Sequence, residues 1–224
     1  MLVELHCTAG SKVLYANPPD WSEMWAWRRI LRPGDLFVDV GSNDGAYALW
    51  AAEVGARVIA VEPDPDAATR LRRNITLNRF PIEHLQCALA AEPGRMTLTS
   101  GNDTTNHLLV REEGTGTVVD VRTLDDVLGP DRAVGVKVDV EGAERLVLAG
   151  ACRALAEQRI GVLQLEWNQL SERTLGETRA PLLEMLRGYG YQVRRPDQQG
   201  RLHPTEAREY GPDLFAVAGT WPNA

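Results

Sequence analysis

Cysteine is scarce in this chain. Three occur in 224 residues, Cys7, Cys87 and Cys152, and they lie too far apart to form a metal-like pair. So sparse and odd a set excludes a disulfide scaffold and reads as reduced, buried thiols, which points to the cytoplasm. Positive charge is in deficit as well: Lys plus Arg total 24 against 31 Asp plus Glu, a formal net charge of -7. Such a surface repels phosphate backbones, and no basic run makes a local exception, so a nucleic-acid partner is not expected. Long apolar runs are missing too. Nothing approaches the ~20 residues that span a bilayer, and the segment Met1 to His6 lacks the basic-then-apolar layout of a signal peptide. No membrane partner is expected. Repeats and low-complexity tracts are absent.

What is present is an ordinary globular composition, 44% apolar and 25% charged, in a chain long enough for one well-buried α/β domain. From Gly34 onward, β-branched runs alternate with helical patterns, which predicts a doubly wound, mostly parallel sheet covered on both faces. Strands are expected at Leu36 to Val40, Arg57 to Val61, His84 to Ala88, Val134 to Val138 and Gly161 to Leu165. Two late strands, Tyr191 to Val193 and Asp213 to Val217, are expected to form an antiparallel hairpin at one edge of a seven-stranded sheet. Between residues 92 and 122 short β segments flank a polar stretch, Gly101 to Asn106, that reads as a surface loop or a site loop. Residues 1–33 are expected to form a helical N-terminal segment packed on the core at its substrate side, with residues 34–224 as the main domain. Trp21, Trp25 and Trp27 fall within one helix capped by Asp20. Packing onto the domain is the plainer role for these indoles; a lid over an acceptor pocket is the sharper one.

The most informative segment is Val38-Asp39-Val40-Gly41-Ser42-Asn43-Asp44-Gly45, a strand ending in a glycine-bearing turn before a helix. Glycine serves where the backbone takes positive φ or approaches a ligand, and the helix beyond offers free N–H groups to an acidic ligand group. Asp39, just before the turn, can attract an ammonium. The pairing fits a zwitterionic amino-acid moiety better than a pyrophosphate, and the dinucleotide pattern G-x-G-x-x-G is absent. The next strand ends in Val61-Glu62-Pro63-Asp64, where the Glu62 carboxylate can accept both hydroxyls of a ribose. Lys137 and Asp139 alternate with apolar residues in the fourth strand, and Gln164 and Glu166 do so in the fifth, so each pair shares a face. A buried lysine must find partners. Asp39, Glu62, Asp139 and Glu166 thus reach the carboxyl edge where open α/β sheets bind ligands. A structural ion-pair network is the competing explanation for Lys137, Asp139 and Glu166, and helix capping for Glu141 and Glu144. His107, in or beside the polar loop, is a further candidate base; His6, His84 and His203 have no identifiable partner. No paired-histidine or cysteine metal spacing occurs. A hard divalent cation could use Asp139 and Glu166, but two carboxylates are too common to assign it.

Taken in order, these segments resemble the FkbM-type methyltransferases, a branch of the class I S-adenosylmethionine-dependent enzymes. The likeness is carried by Leu31-Arg32-Pro33-Gly34-Asp35, Phe37 to Gly45, Val58 to Asp64, Asn74 and Asn78, Ala88-Leu89, Thr123-Leu124-Asp125, and Val136-Lys137-Val138-Asp139-Val140-Glu141-Gly142-Ala143-Glu144. It spans about Leu31 to Glu166; residues 1–30 and 168–212 resemble nothing identifiable and are where acceptor specificity is expected. Ser42 and Asp44 depart from the family, which usually has an alanine and a bulkier residue there. The resemblance implies a class I methyltransferase fold. It also implies that Asp39, Gly41, Ser42, Asn43 and Gly45 hold the amino-acid end of S-adenosylmethionine, that Glu62 with Pro63 holds the ribose, and that Cys87 and Ala88 flank the adenine. S-adenosylhomocysteine would be the product.

On this basis the expected reaction is methyl transfer to a hydroxyl of a small molecule, a secondary metabolite or sugar. Asp139 is the first candidate base, ahead of Glu141, Glu166 and His107, and Asp139 also lies beside the cofactor. Carboxyl or N-methylation, a nicotinamide-dependent oxidoreductase and a non-catalytic cofactor binder are the alternatives. Methylation of protein or nucleic acid would favour an extended charged groove, of which the sequence gives no sign.

Overall fold

The computed structural model describes residues 18, 20–99, 108–109 and 116–221. Helix α1 (Trp21–Ile30) leads into β1 (Leu36–Val40), α2 (Ala46–Glu53), β2 (Arg57–Val61), α3 (Pro65–Asn78) and β3 (Ile82–Leu85). Four short strands follow: β4 (Ala88–Leu89), β5 (Gly94–Thr99), β6 (Leu108–Leu109) and β7 (Gly116–Arg122). The chain continues through α4 (Leu124–Leu128), β8 (Ala133–Val138), α5 (Glu144–Ala149), α6 (Cys152–Ala156) and β9 (Ile160–Leu165). It then forms α7 (Leu170–Leu175), α8 (Ala180–Gly188), β10 (Tyr191–Pro196), β11 (Leu202–Pro204) and β12 (Leu214–Ala218).

The main sheet runs β11-β10-β12-β9-β8-β1-β2-β3. Its five strands from β9 to β3 are parallel, while β12, β10 and β11 pair antiparallel at the far edge. The sheet is therefore doubly wound with an antiparallel edge, as the alternation predicts, with eight strands instead of seven because Leu202–Pro204 adds an outer one. Strand order reverses between β1 and β8, and a ligand crevice opens at such a switch point. The strand expected at His84 to Ala88 divides in two. Its first part closes the main sheet as β3, and after Gln86 the chain crosses to a second sheet of order β4-β7-β5-β6. That sheet accounts for the short β segments between residues 92 and 122, whereas Gly101 to Asn106 and His107 lie outside the described residues.

Local signals behave as their chemistry dictates at two helix starts. Asp64 caps α3 by accepting the N–H groups of Asp66 (3.0 Å) and Ala67 (2.9 Å), with Pro65 in the first turn. Thr123 caps α4 through Asp126 N–H at 3.1 Å. Asp20 stands at the cap position of α1 without capping it; its carboxylate accepts the Tyr47 hydroxyl at 3.0 Å instead. Cys87 is buried but Cys152 is exposed, so the expectation of uniformly buried thiols fails at that position, and Cys7 lies outside the described residues. Among the described residues, no helix is long and apolar enough to cross a membrane.

Each face of the sheet has its own core. On one, Val38, Val136 and Leu163 pack against Val147, Leu155 and Leu186 of α5, α6 and α8. On the other, Phe37, Val162 and Phe215 meet α1 and α2 through Trp27, Ala48 and Ala51. Trp27 is completely buried. Its ring lies 4.9 Å from that of Phe37 and 5.5 Å from that of Phe215, over Gly135, where an added Cβ would fall 2.3 Å from the indole. Trp25 stands edge-on to Trp50 at 6.1 Å, and the half-exposed Trp21 donates its indole N–H to Gln198 O at 2.9 Å. The three indoles thus hold α1 on the domain. Trp27→Ala is expected to cost about 3–5 kcal/mol through the cavity it leaves. The check is a urea unfolding curve with a lower midpoint and an unchanged slope.

Candidate active site

The turn after β1 is shaped by three left-handed residues, Gly41 (φ 78°), Asn43 (φ 47°) and Gly45 (φ 91°). Asn is among the few side chains that tolerate this region. At Gly41 a Cβ would lie 1.8 Å from the Asp139 carbonyl oxygen, and at Gly45 it would strike Leu71. The turn hooks over β2: Gly41 and Ser42 donate to Val61 O at 2.9 and 3.1 Å, and Glu62 accepts Asn43 N–H at 2.8 Å and Asp64 N–H at 2.9 Å. Glu62 in turn donates its own N–H to Leu85 O at 3.0 Å, which sets the end of β2 beside the segment leading to Cys87 and Ala88. Ser42 and Asp44, the two departures from the family pattern, both brace the turn. The Ser42 hydroxyl donates to Asp39 O at 2.7 Å, and Asp44 pairs with Arg70 at 2.6 Å while its carbonyl accepts from Asn74 at 2.9 Å.

Asp39, Lys137 and Gln164 are register partners across β1, β8 and β9, a polar row on the face covered by α1 and α2. Asp39 is 1% exposed, and neither carboxylate oxygen has a full hydrogen bond. Burial pushes it up to about 6, an effect that nearby Lys137 opposes. Glu62 is raised to about 7, again by burial and against the two N–H groups it accepts. The Lys137 ammonium meets Asp139 Oδ2 at 2.8 Å and lies 4.6 Å from the centre of the Tyr47 ring. Burial alone would lower it; Asp139, Asp39 and Asp213 reverse that and hold it above the ordinary lysine value. Gln164 completes the row, accepting the Trp27 indole N–H and donating to the Tyr47 hydroxyl (3.1 Å) and Asp213 (2.7 Å).

Two loops interlock beyond β8 and β9. Glu144 is fully buried and accepts the N–H groups of Val140 (3.1 Å) and Gly142 (3.2 Å); both belong to the loop before α5, whose first turn has no side-chain cap, so Glu144 braces that loop instead of capping the helix. It also pairs with buried Arg179, whose Nε donates to Asn168 O at 3.1 Å. The Thr174 hydroxyl donates to Glu141 O at 2.7 Å, and Glu141 takes a positive φ of 54°. This bend brings carboxylate oxygens of Asp139, Glu141 and Glu166 within 4.8 Å of one another, a spacing that suits a hard divalent cation. Burial, then the crowding of Asp139, Glu141, Glu144 and Asp213, drives Glu166 up to about 9.

Asp39, Gly41, Ser42, Asn43, Gly45, Glu62 and Pro63 therefore meet along one rim with Asp139, Glu141 and Glu166. His107 falls outside the described residues. His84 lies on β3 near Arg72, which with burial lowers it, and His203 pairs with Asp197 at 3.0 Å on the outer hairpin. Tyr47 and Asp213 join the rim without any motif to announce them. The one available hint was position: Tyr47 follows the glycine turn by two residues, and Asp213 opens the last strand.

Residues 39–193 match the model of the methyltransferase FkbM domain. The 31-O-demethyl-FK506 methyltransferase FkbM of Streptomyces tacrolimicus is 31% identical over 200 residues, 73% of this chain and 75% of that protein. The 2-O-methyltransferase NoeI of Sinorhizobium fredii is 28% identical over 69% of this chain and 71% of its own length. In fold, the chain is similar to the magnesium protoporphyrin IX methyltransferase of Synechocystis PCC 6803, solved with bound S-adenosylmethionine. The TM-score is 0.55 at 15% identity, covering 98% of this chain and 86% of that one. A switch-point crevice with an unpaired buried aspartate at β1 and an acid at the tip of β2, in a chain matching that domain over most of its length, belongs to the FkbM family of S-adenosylmethionine-dependent methyltransferases.

Proposed function

We propose that the enzyme O-methylates a hydroxyl group of a small molecule, a secondary metabolite or sugar, with Asp139 taking the acceptor proton. One observation carries this: Asp139 stands at the switch point on the open side of the rim, its side chain 36% exposed, near buried Asp39, whose carboxylate suits a cofactor's ammonium. Relatives named for 31-O-demethyl-FK506 and 2-O methylation support the oxygen acceptor. Asp39 with the turn Gly41, Ser42, Asn43 and Gly45 takes the amino-acid moiety. Glu62, having two lone pairs on each oxygen, can accept ribose hydroxyls while keeping both backbone N–H groups. Cys87 and Ala88 border the adenine, and the reduced thiols fit a cytoplasmic enzyme. A sulfonium is already a reactive methyl donor, so alignment for in-line displacement and exclusion of water supply most of the acceleration, roughly 7–11 kcal/mol. A general base adds ~10²–10⁴-fold. Glu166, pushed up by burial and by the neighbouring carboxylates, ranks behind Asp139 as the base.

Labelled methyl from S-adenosylmethionine is expected to reach hydroxylated acceptors in a panel of secondary-metabolite alcohols and sugars, with loss of one alcohol proton per methyl gained. Asp139→Asn should lower turnover at least ~100-fold while S-adenosylhomocysteine still binds in calorimetry. Transfer only to amines or carboxylates, or full turnover by the variant, would overturn the reading.

Asp39 provides a pH signature. Its folded value, about 6, lies above the unfolded 3.8, so the ligand-free protein loses stability as pH rises from about 4 to about 6. Ammonium binding favours the ionised carboxylate, so S-adenosylhomocysteine affinity should climb from pH 5 to 7 and then level. Asp39→Asn is expected to weaken binding about tenfold or more at pH 7 and to make both profiles shallower, the remaining slope coming from Glu62 and Asp213, read by calorimetry and urea unfolding across that range. A wild-type affinity that does not change between pH 5 and 7 would remove Asp39 from the ammonium site.

A further inference from the structure

Lys137 is not needed by the reaction as described, yet it is difficult to bury. An ammonium removed from water carries a penalty of several kcal/mol unless paired, and β8 is covered on both faces. Its side chain is 5% exposed, whereas that of its partner Asp139 is 36% exposed. The pair thus crosses the boundary of the rim, with the cation inside and the carboxylate at the cleft. Tyr47 seats the ammonium from the helix side, and Tyr47 is itself fixed by Asp20 and Gln164. An aspartate just past a strand end would otherwise sample several χ1 wells. The contact at 2.8 Å to Oδ2 selects one of them.

We propose that Lys137 is a positioning residue for methyl transfer: from beneath the rim it grips one oxygen of Asp139 and leaves the other turned to the acceptor hydroxyl. The inference rests on Asp139 as the proton acceptor. A purely structural lysine would neutralise Asp39, Asp139 and Asp213 without caring where the Asp139 carboxylate points, so the two roles separate experimentally.

The test uses Lys137→Met, Asp139→Asn and the double variant, with Lys137→Gln as a second replacement that keeps a donor should the Met variant fail to fold. With an acceptor found in the panel above, the Lys137 replacement should lower kcat about 10–100-fold, the loss expected of a misplaced group. With the cofactor saturating, acceptor KM should stay within about threefold, since Lys137 does not grip the acceptor itself; S-adenosylhomocysteine affinity is expected to fall at neutral pH, because Lys137 supports the ionised form of Asp39. In the Asp139→Asn background the same replacement should cost nothing further, because the two residues act as one unit. A crystal structure of the Lys137 variant with S-adenosylhomocysteine should show the Asp139 carboxylate displaced from its wild-type rotamer. Equal, additive losses in both backgrounds, or an unmoved Asp139, would overturn the proposal. If the wild-type enzyme methylates no alcohol, the proposed function fails on its own, and the position of Asp139 in the variant crystal still decides the role of Lys137.

Discussion

One ammonium group buried among carboxylates governs the chemistry of the rim. Asp39 from β1, Asp139 just past β8 and Asp213 just before β12 all act on Lys137, and without it their mutual repulsion would fall on a low-dielectric site. The chain has only two lysines, Lys12 and Lys137; its other cations are arginines. A guanidinium is planar and needs a fork of acceptors, whereas a compact point charge fits beneath an aromatic ring between strands 4.7–4.9 Å apart. The choice of residue therefore follows from the room available as much as from the charge.

Burial also divides the acids by task. Asp39 and Glu62 sit inside and are raised by burial, Asp39 without a full hydrogen bond and Glu62 against the two backbone N–H groups it accepts. Glu144 is equally buried but already has Arg179 and two backbone N–H groups, and its work is internal. Asp139 alone among the row's acidic neighbours combines a buried cation on one side with access to the cleft on the other. Identical chemistry thus yields a candidate ligand site, a loop clamp and a candidate base through differences in surroundings.

Much of this was legible in the residues. The parallel core, the glycine turn, Glu62 at the tip of β2 and the shared face of Lys137 and Asp139 follow from strand periodicity and positive-φ chemistry, which are local. What escaped was tertiary. The crossing of the chain from β3 into a second sheet depends on β7, over 25 residues away, and could not be read from the run His84 to Ala88. Asp20 looked like a cap because caps are local, but Tyr47, a distant donor, claims it. Tyr47 and Asp213 enter the rim only because α2 and β12 are folded against β8 and β9. Ser42 and Asp44 were visible as departures from a pattern, and only Arg70 and the Asp39 carbonyl explain them.

The missing side chain at Gly135 has a consequence for how this protein can diversify. The Trp27 indole drops into that gap and reaches Gln164, so α1 is pegged to the sheet at one notch along its length and cannot creep by a turn without expelling the ring. Variation on that side would then come from exchanging outward residues of a fixed helix, such as Trp21 or Arg29, instead of from shifting the helix as a body.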